Sequence, residues 1–312
     1  SFKTFVDGWL NLYKPKGVSS AKAVAVVKSY FRNPRIGHTG TLDLEAEGVL
    51  PIAIGQATKL VSILIDSLKE YIFTIQFGAQ TDTGDAAGKI IKKTDIIPTE
   101  EQCLGVCPRF IGKIRQIPPI YSALKINGVR AYKLARRNEE FEVKPRFITI
   151  HDLKLLSYDS HKKLASYVVS CSKGTYVRTL AEDISLSLHS LGFVVELRRT
   201  KVGIFTEENS INIFNVNCRT FAEAYALVKS KCLKVEDVLD DIPVLEVDKL
   251  VAQKIRYGQQ CDFDKMENHD QIWLKYDNKI LAIGSLFDKS FKSSRVFNYQ
   301  NMERNDVDTR RD

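Results

Sequence analysis

Around Asp43 the chain gathers Gly37, Gly40 and Gly48, the threonines Thr39 and Thr41, and His38, and it then enters an apolar run over residues 49–54. A carboxylate in such a loop can act as a covalent nucleophile if it is ionised and aimed at an electrophile. The glycines permit positive φ or close approach of a bulky ligand, and the threonines can bond to an irregular backbone. The same residues also suit an ordinary turn in which Asp43 caps a neighbouring segment, and spacing alone leaves both readings open. A phosphate cradle fits poorly, because that pattern needs Lys and Ser or Thr after its last glycine, whereas Gly40 is followed by Thr41-Leu42-Asp43.

Other groups capable of chemistry are sparser. Asp82 and Asp85 in Thr81-Asp82-Thr83-Gly84-Asp85 offer two carboxylates, but two ligands without a third make a polar turn more often than a metal site, so no metal is expected. Arg178 falls in the first turn of an expected helix, where the macrodipole favours an anion, and it points away from that helix's apolar stripe. Either it is an exposed side chain or an anion lies beside it. The six cysteines are scattered without zinc-ligand or disulfide-framework spacing.

The elements that must hold these groups follow from periodicity and turn chemistry. Residues 9–13 alternate as a strand, Lys14-Pro15-Lys16-Gly17 turns the chain, and Ser19 or Ser20 caps a helix. The Asp43 loop comes next, then a buried strand over 49–54 and a helix over 59–66. Residues 70–78 alternate strictly, with Tyr71, Phe73, Ile75 and Phe77 on one face, so Tyr71 stands at the start of a long strand. Thr99 and Gln102 make a capping box for a helix reaching about residue 107, which Pro108 ends. Gln116-Ile117-Pro118-Pro119 must be extended, Asn127-Gly128 signals a hairpin, and a basic helix spans 131–137. Strands over 147–156 and 164–172 pair antiparallel across a turn at 157–163, and Thr175 caps a helix with the stripe Val177, Leu180, Ala181, Ile184 and Leu188. A short helix covers 220–229, and Ile242-Pro243 marks a boundary. A helix over 247–257 and short strands around 272–276 and 279–287 follow, and the chain is polar and charged from Tyr299.

A chain of 312 residues calls for one large domain plus a smaller one, and its hydrophobic fraction of 44% supplies a core. Lys and Arg outnumber Asp and Glu by 46 to 38, a net charge of +8 that suits a polyanionic partner, whether RNA, DNA or an anionic membrane. No apolar run approaches the length of a bilayer span and no signal-peptide pattern opens the chain, so a reducing cytoplasm is the expected compartment.

The wording of residues 35–52 resembles the GHTGTLDP-type motif of the TruB family of tRNA pseudouridine synthases, whose catalytic aspartate falls on Asp43. Further family-like segments recur in order: Asn11-Leu12-Tyr13-Lys14-Pro15-Lys16-Gly17, Lys69-Glu70-Tyr71, residues 116–125, Gly174-Thr175-Tyr176-Val177-Arg178 and Leu197-Arg198-Arg199-Thr200. The resemblance implies an α+β pseudouridine synthase fold, a mixed, largely antiparallel central sheet flanked by helices, with a small C-terminal β-rich PUA-like domain. The expected divisions are a catalytic domain over 1–242, the PUA-like RNA-binding domain over 243–298 and a disordered tail over 299–312. It further implies isomerisation of uridine to pseudouridine in the tRNA T-loop at position 55 by base flipping. In that scheme Asp43 is the nucleophile, and Arg178 keeps it ionised, since an opposite charge nearby depresses a carboxylate pKa. Tyr71 and Leu197 hold the flipped base, Tyr71 also helping to remove a proton, while Tyr176 binds substrate and His38 fills the space left in the RNA. No cofactor, no obligatory protein partner and no membrane are implied, and a monomer acting on the tRNA T-arm is expected. One departure is visible: relatives follow the aspartate with Pro and Leu and carry Thr or a similar residue before the next glycine, where this chain has Leu44-Glu45 and Glu47. Two alternatives stay open, an RNA-binding or tRNA-folding protein without catalysis and a relative modifying another RNA uridine.

Overall fold

The computed structural model describes residues 6–32, 35–119, 125–126, 129–130 and 144–299. Its strands in chain order are β1 (Gly8–Lys14), β2 (Ile36–His38), β3 (Glu47–Ile54), β4 (Lys69–Phe77), β5 (Ala79–Thr81), β6 (Ile90–Lys93), β7 (Gly112–Gln116), β8 (Lys125–Ile126) and β9 (Val129–Arg130). There follow β10 (Arg146–Asp159), β11 (Leu164–Cys171), β12 (Gly192–Val202), β13 (Phe205–Thr206), β14 (Val244–Glu246), β15 (Cys261–Asp262), β16 (His269–Tyr276), β17 (Lys279–Phe287) and β18 (Ser290–Val296). A nine-stranded sheet runs β1-β3-β12-β4-β11-β10-β7, with β2 joined to β3 and β13 to β12. Its neighbours are antiparallel except β12 and β3, which run parallel, so the sheet is the mixed, largely antiparallel one expected.

The strict alternation of β4 lays Phe73, Ile75 and Phe77 on a core shared with Leu180, Ala181 and Ile184 of the Val177–Ser187 helix and with Tyr167 and Val169 of β11. Burying each such side chain contributes about 1.5–3 kcal/mol. Tyr71, two residues before Phe73 on the same face, packs at the rim of this core. The Ser20–Lys28 helix starts at Ser19, whose hydroxyl accepts from the Lys22 amide, and it buries Ala23 and Val27 in a second core with Leu42 and Ala46. The Glu100–Gly105 helix carries the Thr99/Gln102 capping box, and Pro108 lies in the 3-10 turn beyond it.

Three expectations need correcting. The turn between β10 and β11 is shorter than 157–163, because β10 extends to Asp159. Thr175 does not cap the Val177–Ser187 helix: Tyr176 is the N-cap, and the Thr175 hydroxyl donates instead to the Ser172 carbonyl. The central strand β12, between β3 and β4, has no counterpart among the strands expected from periodicity. The Asn127-Gly128 turn, residues 120–124 and the helix expected over 131–137 lie outside the described residues, although the flanking β8 and β9 pair antiparallel.

Beyond Pro243 a five-stranded sheet, β14-β16-β17-β18-β15, with the Lys249–Arg256 helix forms a C-terminal β-rich domain. It is not independent of the first sheet, since Trp273, Ile280, Ile283 and Phe297 share a core with Trp9, Val49, Val202 and Phe205. Tyr299 packs against that core, so the expected tail does not begin there, and residues 300–312 lie outside the described residues. Among the described residues no helix is long and apolar enough to cross a membrane.

Candidate active site

The Asp43 loop is pinned on both sides of its carboxylate. Leu42 and Ala46 are buried in the core under the Ser20–Lys28 helix. The Ser20 hydroxyl donates to the Leu42 carbonyl at 2.9 Å and accepts from the Leu42 amide at 3.1 Å, and the Ala46 amide donates to the Asp43 carbonyl at 3.0 Å. With Leu42 and Ala46 facing inward, the Asp43 side chain is left outward at 58% exposure.

Arg178 meets it from the first turn of the Val177–Ser187 helix, Nη2 lying 3.8 Å from Asp43 Oδ2. Its side chain is only 13% exposed, so the cation is sheltered while the carboxylate stays accessible. Nη1 donates to the Thr83 carbonyl at 3.2 Å and lies 3.9 Å from Asp85 Oδ2. The helix start that aims Arg178 is held from afar: Gln116, at the end of β7, accepts from the Tyr176 amide at 2.9 Å and donates to the Tyr176 carbonyl at 3.2 Å.

Two adjoining cavities, about 270 and 210 Å³, share Asp43, Ala46, Arg178 and Leu197 in their walls. The larger adds Asp85, Lys16, Glu45 and Glu196, and the smaller adds Tyr71, Tyr176 and Thr41. The structure thus brings Asp43, Arg178, Tyr71, Tyr176 and Leu197 to one place. His38 is set apart from these walls, on β2 against Ile52 of β3. Burial lowers its pKa below the usual 6.5 and the nearby Arg199 cation adds to that, while its Nδ1 is buried without a hydrogen-bond partner. Burial raises the Tyr71 hydroxyl above its ordinary 10, against the opposing pull of Arg199.

Residues outside the motif's expected roles complete the site. Lys14, fully buried, donates to the carbonyls of Pro15 (3.1 Å), Val18 (2.7 Å) and Leu44 (3.4 Å), and burial lowers its pKa against the opposing pull of Asp43, Glu45 and Glu47. The departures after Asp43 are accommodated locally. The Leu44 carbonyl also accepts from the Gly17 amide at 2.8 Å, Glu45 lies 3.9 Å from Lys16, and Glu47 lies near the Tyr13 hydroxyl, whose pKa burial and that carboxylate together push up to about 12. Of the two added carboxylates, Glu45 thereby has a cation beside it. Asp85 reads in the sequence only as part of a polar turn, and no local signal ties it to Arg178. Among the described residues no group of three or more His, Cys, Asp or Glu side chains is placed to hold a metal ion.

The model for the N-terminal domain of the TruB family of pseudouridylate synthases matches residues 28–177, and that for the tRNA pseudouridylate synthase B C-terminal domain matches residues 178–252. A tRNA pseudouridine synthase B of Rickettsia bellii (strain OSU 85-389) is 59% identical over 290 residues, covering 93% of this chain and 98% of the relative. One from Rickettsia akari (strain Hartford) is 54% identical over 291 residues, with the same coverage. Among solved structures, a chain of a Cbf5-Nop10-Gar1 complex aligns with a TM-score of 0.70 at 22% identity, covering 93% of this chain and 84% of that one, which supports the fold.

Proposed function

The chain belongs to the TruB family of pseudouridylate synthases and isomerises uridine to pseudouridine in tRNA; we propose that Asp43 is the covalent nucleophile and that the target is the T-loop uridine which tRNA numbering calls 55. The observation that carries the reading is the accessible Asp43 carboxylate, 3.8 Å from a sheltered Arg178, where two cavities meet along Leu197, the smaller also walled by Tyr71 and Tyr176.

The reaction breaks the bond between the sugar and N1 of uracil, turns the base, and joins C5 to the same sugar carbon. The proton on C5 must then leave and N1 must gain one. Asp43 holds the nucleoside covalently while the base turns, and Arg178, 3.8 Å away, aims its carboxylate. Tyr71 and Leu197 contact the base on either side of its turn, replacing stacking worth about 1–3 kcal/mol per base in the RNA. Tyr71 is the nearest candidate to take the C5 proton, acting as the phenolate, which becomes the neutral phenol as it does so. His38 occupies the gap in the loop, Tyr176 lines the base cavity, and the C-terminal β-rich domain is a PUA-like unit that binds RNA backbone. Atoms and electrons balance within the nucleoside, so the isomerisation calls for no redox partner or group donor. The enzyme works as a monomer in the cytoplasm.

The test is Asp43→Asn with a tRNA substrate. Pseudouridine formation should vanish while tRNA affinity holds or improves, because a carboxylate facing a polyanion is removed. Turnover by this variant would displace Asp43 from the nucleophile's role, and absence of activity in the unaltered enzyme would point to binding without chemistry.

A further inference from the structure

Arg199 is 3% exposed, and among the described residues no ion pair compensates it. A buried cation is costly unless its donors are satisfied, and the acceptors Arg199 uses are the parts of the active site. Its Nε donates to the Val49 carbonyl at 2.9 Å and its Nη2 to the Gly40 carbonyl at 3.1 Å, so it spans the two ends of the loop that carries Asp43. The same guanidinium lies close enough to the Tyr71 hydroxyl to pull its pKa down against burial. The sheet dictates this reach: Arg199 of β12 lies directly opposite Tyr71 on β4 and opposite Gly48 on β3. Gly48, at φ +121°, leaves no room for a side chain, since a Cβ there would stand 2.1 Å from the Arg199 carbonyl oxygen. Backbone and guanidinium of one residue thus clamp the strand leaving the Asp43 loop.

We propose that Arg199 is a positioning residue for the isomerisation, a buried fork that sets the Asp43 loop and the Tyr71 hydroxyl in one fixed relation. This rests on the reading of Asp43 and Tyr71 given above. Lysine cannot replace it, because a single ammonium cannot span the Gly40 and Val49 carbonyls beside Tyr71 with the fixed geometry of a guanidinium. The same cation opposes the burial that raises the Tyr71 pKa, with Cys171 and Asp43 acting the other way, so it favours the phenolate, the form that can take up a proton.

The experiment uses the full chain and a tRNA transcript, measuring single-turnover rate and tRNA Kd separately for Arg199→Lys, Tyr71→Phe and the double variant. Misplacement of reacting groups by about 1 Å costs on the order of a hundredfold, so Arg199→Lys should slow the rate by about 10- to 100-fold while changing Kd little. In the Tyr71→Phe background the same change should cost several-fold less. Loss confined to Kd, or rate losses that simply multiply, would overturn the proposal. If Arg199→Lys does not fold, Tyr71→Phe with Arg199 intact decides. Arg199 is the arginine buried among the described residues, so slowly exchanging guanidinium protons report on it, and they should exchange markedly faster once the phenol oxygen is gone. Unchanged exchange would refute the contact. Failure of the unaltered enzyme to make pseudouridine, or turnover by Asp43→Asn, would instead count against the functional reading itself.

Discussion

Asp85 braces Arg178 from the side away from Asp43, its Oδ2 standing 3.9 Å from Nη1 while Nη2 is left toward the nucleophile. Asp85 is itself fixed, since its Oδ1 accepts from the Thr83 hydroxyl at 2.7 Å and from the Ala87 amide at 3.1 Å. Asp85→Asn should therefore keep the turn and lose the brace. Single-turnover rate should fall by about 10- to 100-fold, the cost of a misaimed group, with less loss than Asp43→Asn shows. An unchanged rate would mean that the Thr83 carbonyl alone suffices to aim the guanidinium.

His38 gives a pH signature. Its folded pKa is lowered, first by burial and then by Arg199, so the native state holds the neutral ring while the unfolded chain takes up a proton near pH 6.5. Its contribution to stability is thus present above the unfolded pKa and lost as pH falls through the folded one. Denaturant unfolding should show stability dropping as pH goes from about 6.5 toward 5, and His38→Gln should flatten that limb. A ring whose NMR titration midpoint lies at or above the free value would contradict this assignment.

Much of this site is legible in residue order, and the rest is hidden for physical reasons. The Asp43 loop, the alternating face that begins at Tyr71 and the cation at the start of the Val177–Ser187 helix all leave local traces, in turn residues, period-two burial and a charge at odds with the helix dipole. β12 leaves a poor one. Register shifts at Val194/Glu196 and Arg199/Lys201 break its alternation, and Leu197-Arg198-Arg199-Thr200 has the composition of a surface although Arg199 is buried. Gln116 holds Tyr176 across sixty residues of chain, which no capping pattern encodes, and this is why Thr175, the better capping residue by type, is not the cap. The shared core of Trp9 and Trp273 is equally non-local, and it makes the C-terminal domain harder to detach than the Ile242-Pro243 boundary suggests.

That shared core means the RNA role of the C-terminal domain is best tested by surface charge and not by truncation. Lys249, Lys254 and Arg256 are exposed on a helix whose Ala252 and Ile255 face inward, so replacing all three with Gln spares that buried face and gives up only the Arg256 cation over the Tyr276 ring. Each phosphate that the protein no longer neutralises should make the slope of log K against log salt shallower by about 0.7–0.9. The triple variant should bind tRNA more weakly at low salt with a visibly flatter slope. An unaltered slope would show that this helix does not face the RNA.

The proposed split between flipping and chemistry can be tested through substrate design. RNA is read mainly through loops and splayed bases, so an isolated stem-loop copy of the T-arm should serve as substrate without added cofactor or metal. Extracting a stacked base costs a few kcal/mol, and less when the loop is already loosened. His38, on β2, is not among the residues lining the two cavities, whereas Tyr71 lines the smaller one beside Asp43. His38→Ala should accordingly slow an intact T-arm more than one whose loop pairing is disrupted. Tyr71→Ala should hurt both, with an added penalty on the intact arm, because it removes the stacking surface as well as the hydroxyl. Tyr71→Phe separates the two, keeping the ring and removing the proton acceptor, so its effect should be equal on the two substrates. Single-turnover rates for each variant on each arm decide the matter. Equal losses for His38→Ala on both arms would place it in the bond rearrangement, and no activity of the unaltered enzyme on any T-arm would move the target to another uridine of tRNA.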